Sequence, residues 1–288
     1  MKNLLSIKEF SKLSGIESST LRYWNEIALF SPITRNPING YRYYSPEQLI
    51  TVNFVKVLSS LDIPLKTIRE IGNSRTPESI ADLIQRQEKL LDMKMRKLRE
   101  HYSIIHTRLE MIDYGEKIIN GFTPTKETKN AGTVSTDNAD VINMDKISVI
   151  QMDEMNIIFG PPTNFGREGF YDPFMQFCKQ AKNLRINLDF PIGGMHENWD
   201  EFMKKPGEPQ RFFSADPTGH DSRPAGRYVV GFSRGYYSQF GDLPERMTNY
   251  IKDNSLTTSG AVYVIYLHDE ICIKDPSQYL AQVCVAIT

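Results

Sequence analysis

The chain has 288 residues, of which 40% are hydrophobic and 24% charged, and its formal net charge is −1. That length exceeds one usual domain, the composition is that of a globular protein, and the near-zero charge excludes indiscriminate coating of nucleic acid. No apolar run approaches a membrane span, and the N-terminus lacks a charged-then-apolar leader. Cys178, Cys272 and Cys284 are too scattered for a disulfide framework or a zinc cluster. A cytoplasmic protein with no membrane partner, no metal and no cofactor is expected. The charge is unevenly spread: residues 1–75 carry +4, residues 76–119 balance, and the remainder carries −5. This asymmetry points to DNA at one end and a different partner at the other.

In chain order, Ser6 can accept from the free N–H groups of a helix start, and Glu9 three residues on can reach back to it. The short helix Ile7–Leu13 ends near Gly15, which tolerates positive φ. Ser18 or Ser19 starts a second helix carrying Thr20, Arg22, Tyr23 and Glu26. Helix, glycine turn and helix form the helix-turn-helix pattern, whose second helix enters the major groove. Past Leu29 the chain is irregular at Ser31-Pro32 and Asn36-Pro37. It then crosses Asn39-Gly40, which predicts a two-residue hairpin turn. The following Tyr41, Arg42, Tyr43 and Tyr44 put an arginine among tyrosines, where a hairpin can lay donors along a phosphate backbone. Their alternation also permits Tyr41 and Tyr43 to face a core, with Arg42 pointing the other way. Ser45-Pro46 predicts a cap and first position for a third helix, with Leu49, Ile50, Val52, Phe54, Val55, Val57 and Leu58 mostly buried. Pro64 opens a short helix to about Ile71 that carries Lys66 and Arg69. Read from the residues alone, this is a winged helix-turn-helix for DNA, or a helical adaptor whose tyrosines fill a core.

The stretches IKEFSKLSGIESSTLRYWNEIALFSP, NGYRYYSPEQL and LDIPLKTIREI resemble the MerR family of bacterial transcription regulators. The resemblance covers the first 75 residues closely and reaches, through a long helix, to about residue 120. It implies DNA-binding roles for Ser19, Thr20, Arg22 and Tyr23 in the major groove, for Tyr41 and Arg42 on the wing's phosphates, and for Lys66 near a phosphate. The alternative for Lys66 is a solvated helix face.

Thr76-Pro77-Glu78 starts that long helix. Leu91, Met95, Leu98, Tyr102, Ile105, Leu109, Ile112 and Ile119 alternate four and three residues apart, with Glu116 the polar member of the seam, and this spacing predicts a coiled coil. The resemblance implies an antiparallel homodimer, which also suits a two-fold DNA site. Residues 120–145 are polar and read as a linker.

From residue 146 the pattern changes to strand Ile147–Met152, helix Arg167–Leu184, and strands Ile192–His196 and Arg211–Ala215. A similar order follows: strand Arg227–Ser233, helix Phe240–Asp253, and strands Val262–Leu267 and Leu280–Ile287. Strand-helix-strand-strand twice predicts a duplicated antiparallel sheet with its helices on one face and a cleft between halves. The expected fold class is α+β multidomain: a winged helix-turn-helix over 1–75, a dimerisation helix over 76–119, a linker over 120–145 and the duplicated domain over 146–288. This last part resembles the GyrI-like effector-binding domain at Gly160–Pro162, Pro224–Gly235 and Ser259–Asp269. The resemblance implies that Tyr171, Tyr228, Tyr266 and Tyr279 line the cleft. Val264 stands where the family commonly has a buried glutamate for organic cations. Glu168 is the best substitute acid and Glu154 a weaker one, each with an ordinary surface role as its alternative. A hydrophobic or aromatic small-molecule effector is therefore expected, of either charge. Gly193-Gly194 reads as a strand irregularity. Residues 70–130 hold no cysteine, so the metal-sensing branch of the family is not expected.

The resemblance implies a dimeric, ligand-responsive activator rather than an enzyme. Such a protein bends and untwists promoter DNA between the −35 and −10 elements so that RNA polymerase engages both. The alternatives are a GyrI-like small-molecule hydrolase fused to a DNA-binding domain, and a ligand-independent repressor.

Overall fold

A computed structural model describes residues 4–72, 74–123, 134–135, 141–165 and 170–288. They form two compact units, Met1–Leu98 and Arg99–Thr288.

In the first unit, strand β1 (Leu5–Ser6) leads into α1 (Ile7–Ser14). Ser6 and Glu9 form the expected capping box, and Gly15 closes the helix at φ 69°. Helix α2 (Ser18–Glu26) follows, then β2 (Thr34–Arg35), β3 (Arg42–Tyr44), α3 (Gln48–Ser60) and α4 (Leu65–Gly72). Strand β3 lies between β1 and β2. The wing does not turn in two residues: its strands end at Arg35 and Arg42, with Asn36–Tyr41 as the loop between them. The Asn36 carboxamide oxygen accepts from the Ile38 and Asn39 N–H groups, so a side-chain turn organises the loop. The core tyrosine is Tyr44, fully buried with its ring centroid 4.6 Å from that of Phe10; Tyr41 is exposed. In α3 only the face with Val52, Val55 and Leu58 is buried, and Ile50 is 78% exposed. The sequence is apolar around most of that helix, but one stripe can reach a core this small.

Helix α5 (Pro77–Asn120) begins at Thr76, whose hydroxyl accepts from the Ser79 N–H at 3.2 Å. The compact units divide within it. The expected linker lies mostly outside the described residues; within it, β4 (Val134–Ser135) pairs with the strand that follows and Phe122 bridges Ile142.

The second unit continues with β5 (Ser148–Met152), β6 (Met155–Pro162), α6 (Tyr171–Leu184), β7 (Ile192–His196), α7 (Trp199–Lys204), β8 (Arg211–Ser214) and β9 (Asp221–Arg223). It ends with β10 (Gly226–Arg234), α8 (Leu243–Asp253), β11 (Thr258–His268) and β12 (Leu280–Ile287). The antiparallel sheet runs β4-β5-β10-β12-β11-β7-β8-β6-β9. The duplication is β6-α6-β7-β8 against β10-α8-β11-β12, meeting where β11 pairs with β7. Strand β5, expected to open the first repeat, instead flanks β10 in the second. Only Asp153 and Glu154 separate β5 from β6, yet these strands lie near opposite ends of the sheet order. Such a short link requires the sheet to curl until its ends approach.

The two faces of the sheet have different covers. Helices α7 and α8 pack Trp199, Phe202, Leu243 and Met247 against Val229, Val262 and Val283, while α6 packs Phe177 and Ala181 against Phe212. The other face carries Tyr228, Val230, Phe232, Tyr263 and Ile265, covered by Met111, Tyr114 and Ile118 at the end of α5. The helices of the repeats therefore share one face, as the strand-helix pattern predicted, and the end of α5 covers the other. Gly115 permits the closest approach: a Cβ there would lie 2.4 Å from His268 Nε2. Gly193 and Gly194 are in regular register with β8 and β11, without an irregularity. Gly193 is required by crowding, because a Cβ would sit 2.2 Å from the Phe213 ring.

Candidate functional site

Helix α2 buries Leu21 and Trp24 and turns Ser19, Arg22, Tyr23 and Glu26 outward, with Thr20 half-buried beside them. Asn25 fastens the wing to this helix. Its carboxamide oxygen accepts from Arg35 Nη2 and from Arg42 Nε at 3.4 Å, and its nitrogen donates to Ser31 Oγ at 3.0 Å. Burial raises the pKa of the Tyr44 hydroxyl, and Arg42, Arg35 and Arg22 pull against it, which places three guanidinium charges around one point of the helix–wing junction. Tyr41 is exposed at the wing loop. On α4, Lys66 is exposed and Arg69 is committed to the Ile27 carbonyl at 2.9 Å. The surface offers cations and hydroxyls fixed on helix ends and a short sheet, the chemistry that phosphate contacts use.

The second unit holds a cavity of about 170 Å³ on the helix-covered face, beside the middle of the sheet. Phe170, Tyr171 and Phe174 wall one side, with Tyr236, Tyr237 and Tyr266 opposite. Phe170 and Tyr237 stack nearly parallel at 6.0 Å, Tyr237 meets Tyr266 at 4.6 Å, and the Tyr171 and Tyr236 hydroxyls are 2.6 Å apart. Two acids close the end of β11. Asp269 is ion-paired with Arg108 of α5, and Glu270 accepts from the Tyr237 hydroxyl. Burial and that carboxylate raise the Tyr237 pKa, so the phenol stays a donor. His196, also on the wall, is pushed down to about 4 by burial, with partial compensation from the Pro206 backbone and Glu201. Flat aromatic faces with a carboxylate beside them can stack on a planar molecule or hold a cation.

Residues 5–74 match the MerR HTH family regulatory proteins. Across its full length, and 97% of its counterpart, the chain is 22% identical to the multidrug-efflux transporter 2 regulator of Bacillus subtilis (strain 168). Residues 5–74 are therefore a helix-turn-helix unit of the MerR type. The chain is also 30% identical to the multidrug-efflux transporter 1 regulator of the same organism over 108 residues, 36% of this chain and 38% of that protein. Among solved structures it is similar to EcmrR in the EcmrR–DNA complex within EcmrR-RPo, at 16% identity and a TM-score of 0.37, over 98% of this chain and 99% of that one.

In the second unit, Tyr171, Val264 and Tyr266 line the aromatic cavity together. Tyr279 stands behind the wall, its ring 5.4 Å from that of Tyr237. Tyr228 does not join them. Residues alternate along β10, so Val229 faces α7 and α8 while Tyr228 lies on the face covered by α5, donating to the Pro224 carbonyl at 2.7 Å. Glu168 lies outside the described residues, and Glu154 lines a hollow elsewhere in the unit. The cavity's acids are Asp269 and Glu270. Adjacent acids at the end of a long apolar strand were the one available sequence signal for them. Nothing in the spacing of Arg108 from Asp269, or of Asn25 from Arg35 and Arg42, marks those pairings. Among the described residues, no group of three or more His, Cys, Asp or Glu could hold a metal, and no helix is long and apolar enough to cross a membrane.

Proposed function

We propose that the protein is a dimeric, ligand-responsive activator. On promoter DNA, Ser19, Thr20, Arg22 and Tyr23 face the major groove, while Tyr41, Arg42 and Lys66 contact phosphates. A hydrophobic or aromatic molecule occupies the cavity of Tyr171, Val264 and Tyr266. The ligand-bound dimer bends and untwists the spacer between the −35 and −10 elements, and RNA polymerase then reads both. The site of action is the cytoplasm, where promoter DNA is. One observation carries the coupling: Arg108, a residue of the long helix, lines the cavity itself and pairs with Asp269 at its edge. A ligand that displaces either group acts directly on that helix. Dimerisation is supported by the seam of α5, where Met95, Leu98, Tyr102, Ile105 and Leu109 are all exposed.

The deciding experiment is transcription in vitro from the regulator's own upstream DNA, with and without planar hydrophobic compounds, including tetraphenylphosphonium and neutral molecules of similar size. Transcript that rises with compound is the expected result. DNA binding without any response to compound would remove ligand sensing from the reading and leave the DNA-binding unit intact.

A further inference from the structure

A second hollow of about 360 Å³ lies on the other face of the sheet, between Thr107 and Met111 of α5 and the inside of the curl. It borders the point where β5 and β6 bring the two ends of the sheet together, since Met152, Glu154 and Met155 all line it. Its volume is within the range of small-molecule sites.

Arg223 is the anomaly there. It is 2% exposed and lines the hollow, yet none of the described carboxylates pairs with it. One amino group donates to the Met152 sulfur at 2.9 Å and the other to the Asp153 carbonyl at 2.7 Å. The Tyr228 ring lies 5.3 Å away, the Cys284 thiol is adjacent, and Nε has no protein acceptor. Gln282, 5% exposed on the same wall, presents an amide nitrogen that donates to no protein group; it lies beside the Tyr114 hydroxyl without meeting hydrogen-bond geometry. Buried polar groups are normally paired, and a buried guanidinium needs a counter-charge. The acids on the lining do not supply it: Glu110 is paired with His106 at 2.7 Å, and Glu154 is exposed. Methionines 111, 152 and 155 form much of the remaining wall, and unbranched thioethers adapt to varied apolar shapes.

We infer that this hollow is a second ligand site, for an organic anion whose carboxylate meets Arg223 and Gln282 and whose apolar body lies among the methionines. It goes beyond the aromatic cavity in both place and charge, because that cavity's edge carries Asp269 and Glu270. An occupant of the hollow would touch the long helix through Thr107 and Met111.

The test is calorimetric titration of the full chain at neutral pH with decanoate, decan-1-ol and decylammonium. Decanoate is expected to bind saturably, at least about tenfold more tightly than the other two, the size of one charge-assisted contact. Arg223→Met should abolish that preference. If Arg223→Met does not fold, Thr107→Phe decides, since it adds bulk to the hollow from a partly exposed lining position and leaves the polar groups in place. Absence of saturable decanoate binding, equal binding of the alcohol, or undiminished binding in Thr107→Phe would each overturn the assignment.

Discussion

Arg108 on the long helix and Asp269 at the end of the eleventh strand form an ion pair at the rim of the aromatic cavity, 161 residues apart in sequence. The side chains are 19% and 11% exposed, and Arg108 also donates to the Asp189 carbonyl at 3.2 Å. A pair this far out of water is costly to break, because the remaining charge keeps its desolvation cost.

Arg108→Met is therefore expected to destabilise the chain by about 2 kcal/mol, less than a fully buried pair because water still reaches one side. Urea unfolding followed by circular dichroism measures it. A change below about 0.5 kcal/mol would mean that the pair is no more than a surface contact.

Asn25→Ala and Arg42→Ala should weaken DNA binding in distinguishable ways. Arg42→Ala removes a proposed phosphate contact, so affinity drops similarly on all sequences and the salt slope falls by about one. Asn25→Ala leaves the charge in place and loosens the wing, so affinity drops severalfold with little change in slope. Fluorescence anisotropy over a salt series separates them, and a loss confined to one operator sequence would contradict the phosphate role.

Val264→Glu places a carboxylate on the cavity wall at a position only 4% exposed. Burial raises the folded-state pKa above the unfolded value of about 4.3, so the variant is little penalised below that pH and loses stability as pH rises through the folded pKa. The penalty at neutral pH is expected to be about 3 kcal/mol, and tetraphenylphosphonium should reduce it more than a neutral compound does. Thermal unfolding with each compound is the measurement. Equal protection by both would show that this wall does not face the ligand.

His196 provides a pH dependence. Its folded pKa is held down at about 4 by burial. The unfolded chain, with an imidazole pKa near 6.5, takes up a proton first as pH falls, so this stabilising contribution is complete above about 6.5 and shrinks by up to about 3 kcal/mol toward pH 4. His196→Leu should flatten that part of the curve. Denaturant midpoints at several pH values test it, and an unchanged slope would show that His196 is already accessible to protons.

Much of the front unit was determined by local sequence. The Ser6–Glu9 box, Gly15, the Leu21–Trp24 pair and the Pro77 start each act within a few residues, where hydrogen-bond reach and helix period leave few alternatives. Tyr171, Tyr266 and the missing acid at Val264 were singled out by the family resemblance, not by local spacing. What tertiary structure alone decided involves partners far apart in the chain. The alternation along the tenth strand put Tyr228 on the face away from the cavity, and the curl brought the ends of the sheet together around Arg223. Packing of the long helix against His268 explains Gly115 and delivers Arg108 to Asp269. Periodicity shows which residues share a face, but which face meets which cover depends on strand order and on the approach of distant segments. Those are set by the total burial of the folded chain, which no local spacing encodes.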